Sequence, residues 1–490
     1  MPLSPAPVYP GTSPLTPPGQ QPANRRAQRA AVVVSLGLLA GLVLAGQLLL
    51  PRLLFIAPGL QAQAAASQPG QGGTTFQGFV FPYDRTSSGG GYDDKASLQN
   101  MHSQASIFHM NAVIIPVVAD QPDSLDSRIS WSGGDSDNVH TLGDDQYTKA
   151  IHDAKQAGLV PILELQLRAD DNAALEADSS TVIGTSWAEV QSDRDVGGSH
   201  GKVRVGAVEK QWFDNYTAFA VHYAQLSAKE NLPFFVIGDG LTGMTVDTPY
   251  TTAKADPKGR DRTMPGEPPC PPDRGRRDCS WRHVIDAIRQ PGYLTLSSHQ
   301  SQVGANYQGK LIYAAHWEGA ENGSLNLPEF ENITWWDAVD YIGVDANFPL
   351  LKDQGAPSTE ILMDAWHGKG AYAAGQGDIV GRLSKVSDTY QRPVVFTSVA
   401  YCSVSGAQCS ANAGGEENDS DQLRYMQALL LTFGDASWWD GVFWYADYPI
   451  PRDKQPFWSL LSNWAGPTLD TSKEAGKWLA SYYKPNPIKP

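Results

Sequence analysis

From Phe76 onward the chain alternates short, almost purely apolar runs with segments whose apolar residues recur every three or four positions. The first pattern suits a strand buried on both faces and the second an amphipathic helix, so the alternation predicts βαβ units around a parallel sheet. The strand runs are Gly78–Phe81, Ala112–Val118, Leu159–Leu167, Phe234–Gly238, Lys310–Ala315, Tyr341–Asp345, Pro393–Thr397 and Gly441–Trp444. Eight such strands close a (β/α)8 barrel, and a chain of 490 residues holds one with room for accessories, since barrels use about 250 residues or more. Between the runs, Tyr147, Ile151 and Ala154 predict a helix over Asp145–Ala157 that Gly158 ends. Phe213, Tyr216, Phe219, Ala220 and Tyr223 predict another over Trp212–Lys229. Two connections are long, Ala169–Glu209 after the third strand and Thr242–Cys279 after the fourth. In a barrel both lie over the C-terminal face, where function sits.

Before residue 76 the pattern changes. Residues 1–24 are rich in Pro, Ser and Gly and read as a disordered tail. Arg25, Arg26 and Arg29 then precede an apolar stretch, Ala30–Leu50. About 20 such residues cross a bilayer's hydrocarbon core, and the arginines place the N-terminus on the cytoplasmic side. The expected organisation is a cytoplasmic tail (1–29), a single-pass transmembrane anchor (30–57), a flexible linker (58–75) and one barrel domain (76–490) on the extracytoplasmic side. A cleaved signal peptide is the alternative, with Ala62-Gln63-Ala64 as its cleavage segment, and would leave a secreted barrel.

Cysteine usage agrees with export. Cys270 and Cys279 form one local pair, and Cys402 and Cys409 form another. Even, local pairs in loops read as disulfides made outside the cytoplasm, and neither pair has the spacing of a zinc site. A formal net charge of −15, with no basic run after residue 29, argues against a nucleic-acid partner. The histidines form no metal constellation and no cofactor is expected.

Several strand phrases carry chemistry at their ends. Arg392–Ser403 reads R-P-V-V-F-T-S-V-A-Y-C-S, an apolar run ending in a polar cluster, and Phe234–Leu241 reads F-F-V-I-G-D-G-L. With Trp335–Leu350 (W-W-D-A-V-D-Y-I-G-V-D-A-N-F-P-L), Asn215–Ala224 and Gly441–Tyr448 in the same order, these phrases resemble glycoside hydrolase family 113, the (β/α)8 endo-β-1,4-mannanases. The resemblance runs over most of residues 76–482. It implies a TIM barrel acting on mannan-type polysaccharide through two catalytic glutamates. The family's nucleophile falls on Ser398 and its acid/base on Gly240. Where the family tends to carry K-P-H at the third strand's end, this chain has Glu164-Leu165-Gln166.

A retaining glycosidase needs two carboxyl groups about 5–5.5 Å apart. A serine hydroxyl is no anion near neutral pH and glycine has no side chain. Loss of proton transfer alone removes about 10²–10⁴-fold in rate. Asp239, beside Gly240, and Asp345, ending the sixth strand, are the candidate substitutes. Glu164, Glu318 and Asp447 also lie at or near strand ends, and the favoured reading of all five is as hydrogen-bonding residues that shape a sugar pocket. His316, Trp317, Glu318, Phe348, Tyr401 and Trp444 are the candidate sugar contacts, the aromatics by stacking, although large aromatics in a barrel are core residues at least as often. The expectation is a membrane-anchored barrel that binds carbohydrate without cleaving it. The alternatives are an active hydrolase using displaced carboxylates and a structural surface protein with no ligand.

Overall fold

The computed structural model describes residues 76–488 apart from connecting segments at 84–91, 94, 123–125, 132–141, 170–182, 184–194, 199–200, 248–269, 272, 293, 296–301, 319–327, 353–356, 371–372, 374, 406–417, 446–458 and 461–471. The tail, apolar anchor and linker expected over residues 1–75 lie outside the described residues, as do Cys409 and Asp447. Among the described residues no helix is long and apolar enough to cross a membrane.

Eight parallel strands close into a barrel. They are β1 (Phe76–Val80), β2 (Ala112–Gln121), β3 (Val160–Ala169), β4 (Phe234–Asp239), β5 (Lys310–His316), β6 (Tyr341–Asp345), β7 (Val394–Val399) and β8 (Trp439–Tyr445). Each neighbours the next in chain order, and β1 pairs with β8 to close the ring. Each apolar run in the sequence is one barrel strand. The ladder between β2 and β3 extends further than hydrophobicity suggests, through Val118 opposite Gln166 to Gln121 opposite Ala169. An ion pair between Arg168 and Asp120 (3.4 Å) supports that polar extension.

The helix expected over Asp145–Ala157 spans Asp144–Gln156, and the one expected from Trp212 begins earlier, at Val205. Both long connections are therefore shorter than the sequence suggested, the second ending where helix Arg276–Arg289 starts. The cause is a buried ionic cluster. Glu209, fully buried, accepts hydrogen bonds from Arg276 and Arg277, joining these two helices. Burial alone would raise the Glu209 carboxyl, but the two guanidinium groups hold it below its ordinary value. Cys270 and Cys279 form a disulfide (Cα–Cα 5.9 Å) that fastens the preceding loop to the same helix. Cys402 is also disulfide-bonded.

Strand alternation sorts the side chains into two cores. Phe76, Val80, Ala112, Ile114, Ile162, Phe234, Val236, Ile312, Ala314, Val395 and Phe443 fill the barrel interior. A larger layer between strands and helices takes Trp212, Trp281, Trp335, Trp336, Trp366 and Trp444. Phe76 meets Phe234 edge-on (5.0 Å) and Tyr341 (5.8 Å) in the interior core. The C-terminal segment lies over the N-terminal ends of the strands: Gln77 donates to the Lys484 carbonyl, Asn111 to that of Asn486, and Ile488 packs on the interior cluster. The C-terminal mouth is the end left for a site.

Candidate functional site

The side chains at the mouth continue the inward faces of the strands. On β3, Ile162 is in the interior core, so Glu164 and Gln166 follow on the same face. On β4 that parity would bring Gly238 inward after Val236. Instead the register with β5 shifts between Val236 and Asp239. A Cβ on Gly238 would lie 2.7 Å from the Tyr216 hydroxyl and 2.9 Å from the Tyr313 ring, both in the outer layer. The irregularity thus turns Asp239 inward. On β6 a second register shift sets Asp345 opposite Ser398 on β7.

These residues form one hydrogen-bonded group. Gln166 Nε2 donates to Asp239 Oδ2 (2.7 Å) and to Glu164 Oε2 (3.1 Å). Asp239 and Asp345 hydrogen-bond to each other, and Thr397 Oγ1 donates to Asp345 Oδ1 (3.0 Å). Burial, then the neighbouring Asp239 and Glu164 charges, push the Asp345 carboxyl well above the ordinary range. Burial and Asp239 do the same to Glu164, against a smaller opposing effect of Gln166. Glu164 is 2% exposed and its Oε1 has no hydrogen-bond partner. Two carboxyls in mutual hydrogen bond share a proton. They can hold, give or accept a proton, and can bind hydroxyl groups. A pair in mutual hydrogen bond is closer than the about 5–5.5 Å at which a retaining pair brackets a sugar carbon.

Asp239 and Asp345, the pair offered from the sequence as substitutes, are thus in hydrogen-bond contact, with Glu164 beside them. Ser398 is half-buried on β7. Gly240 follows β4 with φ +60°, and its N–H donates to the Ala314 carbonyl (2.9 Å). His316, opposite Asp345 in the β5–β6 ladder, accepts at Nδ1 from the Glu318 N–H (3.2 Å). His316, Trp317 and Glu318 are half-buried together at the β5 end. The other aromatics sit elsewhere. Phe348 is packed among Trp317, Phe330 and Trp366. Trp444 is 2% exposed in the outer layer, with its indole N–H donated to the Tyr483 hydroxyl (2.9 Å). Tyr401 is buried against Tyr425 (5.3 Å) and Trp444 (6.1 Å). The half-buried aromatic that follows Phe443 on the inward face of β8 is Tyr445. Strand parity applied to Phe443 would have found it.

The sequence reading also missed Glu329, on a one-turn helix after β5. It is fully buried and accepts from Tyr313 OH (2.6 Å), Thr245 Oγ1 (2.5 Å), Thr242 Oγ1 (3.1 Å) and the His316 N–H (2.8 Å). Burial raises its carboxyl, and these donors offset part of that rise. Tyr313 OH in turn accepts from the Leu241 N–H (2.9 Å). Glu329 therefore ties the β4 end, with Asp239 and Gly240, to the β5 end, with His316. Its sequence surroundings resemble an exposed helix and give no sign of this.

A closed parallel barrel with a polar group at the C-terminal ends of β3, β4 and β6 defines the class as a TIM barrel with its candidate site at the mouth. Residues 273–451, the segment holding β5 to β8, match the model of Glycoside Hydrolase Family 113. The fold is similar to that of a solved GH113 β-1,4-mannanase complex, with TM-score 0.54 and 17% identity over 84% of this chain and 98% of that one. It is also similar to the GH113 β-mannanase of Alicyclobacillus acidocaldarius in complex with ManMIm, with TM-score 0.53 and 17% identity over 84% and 97%. No curated protein matches the chain. The protein carries a glycoside-hydrolase-like (β/α)8 barrel.

Proposed function

We propose that the mouth binds a β-linked polysaccharide of the mannan type and does not hydrolyse it by the family's two-glutamate route. The observation that carries this reading is the occupancy of the two strand ends, with Ser398 on β7 and Gly240, at φ +60°, after β4. Neither supplies a carboxylate, and a double displacement has no nucleophile without one. The neighbouring residues suit binding. Protonated carboxyls donate to and accept from sugar hydroxyls, Gln166 holds two of them in place, and Tyr445 and Trp317 offer aromatic surface at the rim. The apolar stretch before the barrel anchors it in the membrane with the barrel outside, or a cleavage there releases it.

A second reading has one observation in its favour. Asp239 and Asp345 hydrogen-bond to each other, and a carboxyl pair in that contact can supply an acid and a base together. Hydrolysis by that pair requires the two to separate around an incoming sugar. Chromatographic product analysis with β-1,4-linked manno-oligosaccharides separates the readings. Intact oligosaccharide supports binding without cleavage. Shortened products that disappear in Asp239→Asn and Asp345→Asn establish the displaced pair and overturn the proposal.

A further inference from the structure

Resting on the reading of the mouth as a glycan site, we infer that it selects a β-linked glycan whose sugars carry protonated amino groups over one with hydroxyl or acetamido groups. Glu164, Asp239 and Asp345 come from three strands to one place. Gln166 and Thr397 satisfy some of their oxygens. Glu164 Oε1 is left buried and unpartnered. A buried acceptor without a donor costs about 1–3 kcal/mol, which a ligand's donor recovers on binding. An ammonium brings three donors and a positive charge, whereas a hydroxyl brings one donor and leaves the carboxyls' mutual repulsion in place.

The charged groups around the cluster are consistent with this. Arg168, two residues beyond Gln166 on the same face of β3, is paired with Asp120 at 3.4 Å. His316 lies opposite Asp345 at the β5 end and Glu318 beside it. Among the described residues no group of three His, Cys, Asp or Glu side chains is placed to hold a metal ion. A formal net charge of −15 draws cations toward the protein from a distance. When an ammonium enters, the cluster releases protons to the solvent and so acquires the negative charge that pairs with it.

The test is isothermal titration calorimetry of the protein near pH 6 with three probes of equal length: a β-1,4-glucosamine oligomer, its fully N-acetylated counterpart and a β-1,4-manno-oligosaccharide. The free amine is expected to bind about tenfold or more tightly than the acetylated form, as charge-assisted hydrogen bonds are roughly twice as strong as neutral ones. The apparent enthalpy is expected to change between buffers of different ionisation enthalpy, reporting proton release. Glu164→Gln and Asp345→Asn should each erase the preference, bringing the affinities for the free and acetylated oligomers within about twofold of one another, because each removes a carboxylate charge that pairs with the ammonium. Equal affinity for the free and acetylated oligomers overturns the inference. A preference that survives both substitutions also overturns it, by placing amine binding on the acidic surface. Binding of the manno-oligosaccharide alone overturns it and leaves the glycan reading standing, and binding of none of the three overturns both.

Discussion

Replacing Glu329 tests whether one buried carboxyl holds the mouth together. In Glu329→Ala, Tyr313 OH, Thr242 Oγ1 and the His316 N–H lose their acceptor, while Thr245 keeps the Leu241 carbonyl at 3.2 Å. Each stranded buried donor costs about 1–3 kcal/mol, but donors sharing one acceptor relax together and their costs do not add. The expected loss is about 3–5 kcal/mol, in the range reached when a buried polar network is broken. Glu329→Gln keeps the shape but turns an NH2 group toward a donor, for a loss of about 1–3 kcal/mol. Urea unfolding followed by tryptophan fluorescence measures both, with the midpoint falling and the slope unchanged. A cycle with Tyr313→Phe isolates the pair, and a coupling of about 0.5 kcal/mol or more is expected. A cost under about 1 kcal/mol for Glu329→Ala, or strict additivity with Tyr313→Phe, refutes the role given to Glu329.

Other predictions follow from the same geometry. The Glu164 and Asp345 carboxyls are raised in the folded state, so above about pH 4 the native protein keeps protons the unfolded chain has lost. Their contribution to stability therefore falls as pH rises through the raised values. Glu164→Gln and Asp345→Asn should gain stability over the unsubstituted protein as pH rises from 4 to 8, and parallel pH–stability curves would contradict this. Gly240→Ala forces a Cβ onto a backbone at φ +60° and should cost about 1–2 kcal/mol in urea unfolding; a neutral effect would mean the turn can rearrange. Trp444→Ala should lower stability by about 3–5 kcal/mol. Tyr445→Ala should instead weaken glycan binding by about 1–2 kcal/mol with little loss of stability, and calorimetry reversing these assignments would mean that the inward face of β8 is misidentified.

The barrel was legible because its strands are buried on both faces and leave uninterrupted apolar runs, such as Val394-Val395-Phe396. The polar ends of β2 and β3 were less so, since Asp120 and Arg168 continue the ladder through an ion pair that hydrophobicity does not register. At the site, Asp239, Asp345 and Glu164 were recognisable as strand-end carboxylates. Their contact depends on two register shifts that only the packing around Gly238 and the β6–β7 ladder produces. The aromatics show the same limit in reverse. Trp444 and Tyr445 are adjacent and equally aromatic, yet one faces the helices and the other the interior. Glu329 depends on Thr242 and Thr245, which share one helical turn, and on Tyr313; the threonines lie far from Glu329 in the chain and meet it only in the folded barrel.

The central claim is that the mouth binds a β-linked glycan without cleaving it. The most direct measurement is a calorimetric titration of the protein with a β-1,4-linked manno-oligosaccharide, followed by chromatography of the same sample. Saturable heat that is weakened in Tyr445→Ala, with the oligosaccharide recovered at its original length, is the predicted result. Shortened products, or no saturable heat with any β-linked oligosaccharide tested, would contradict it.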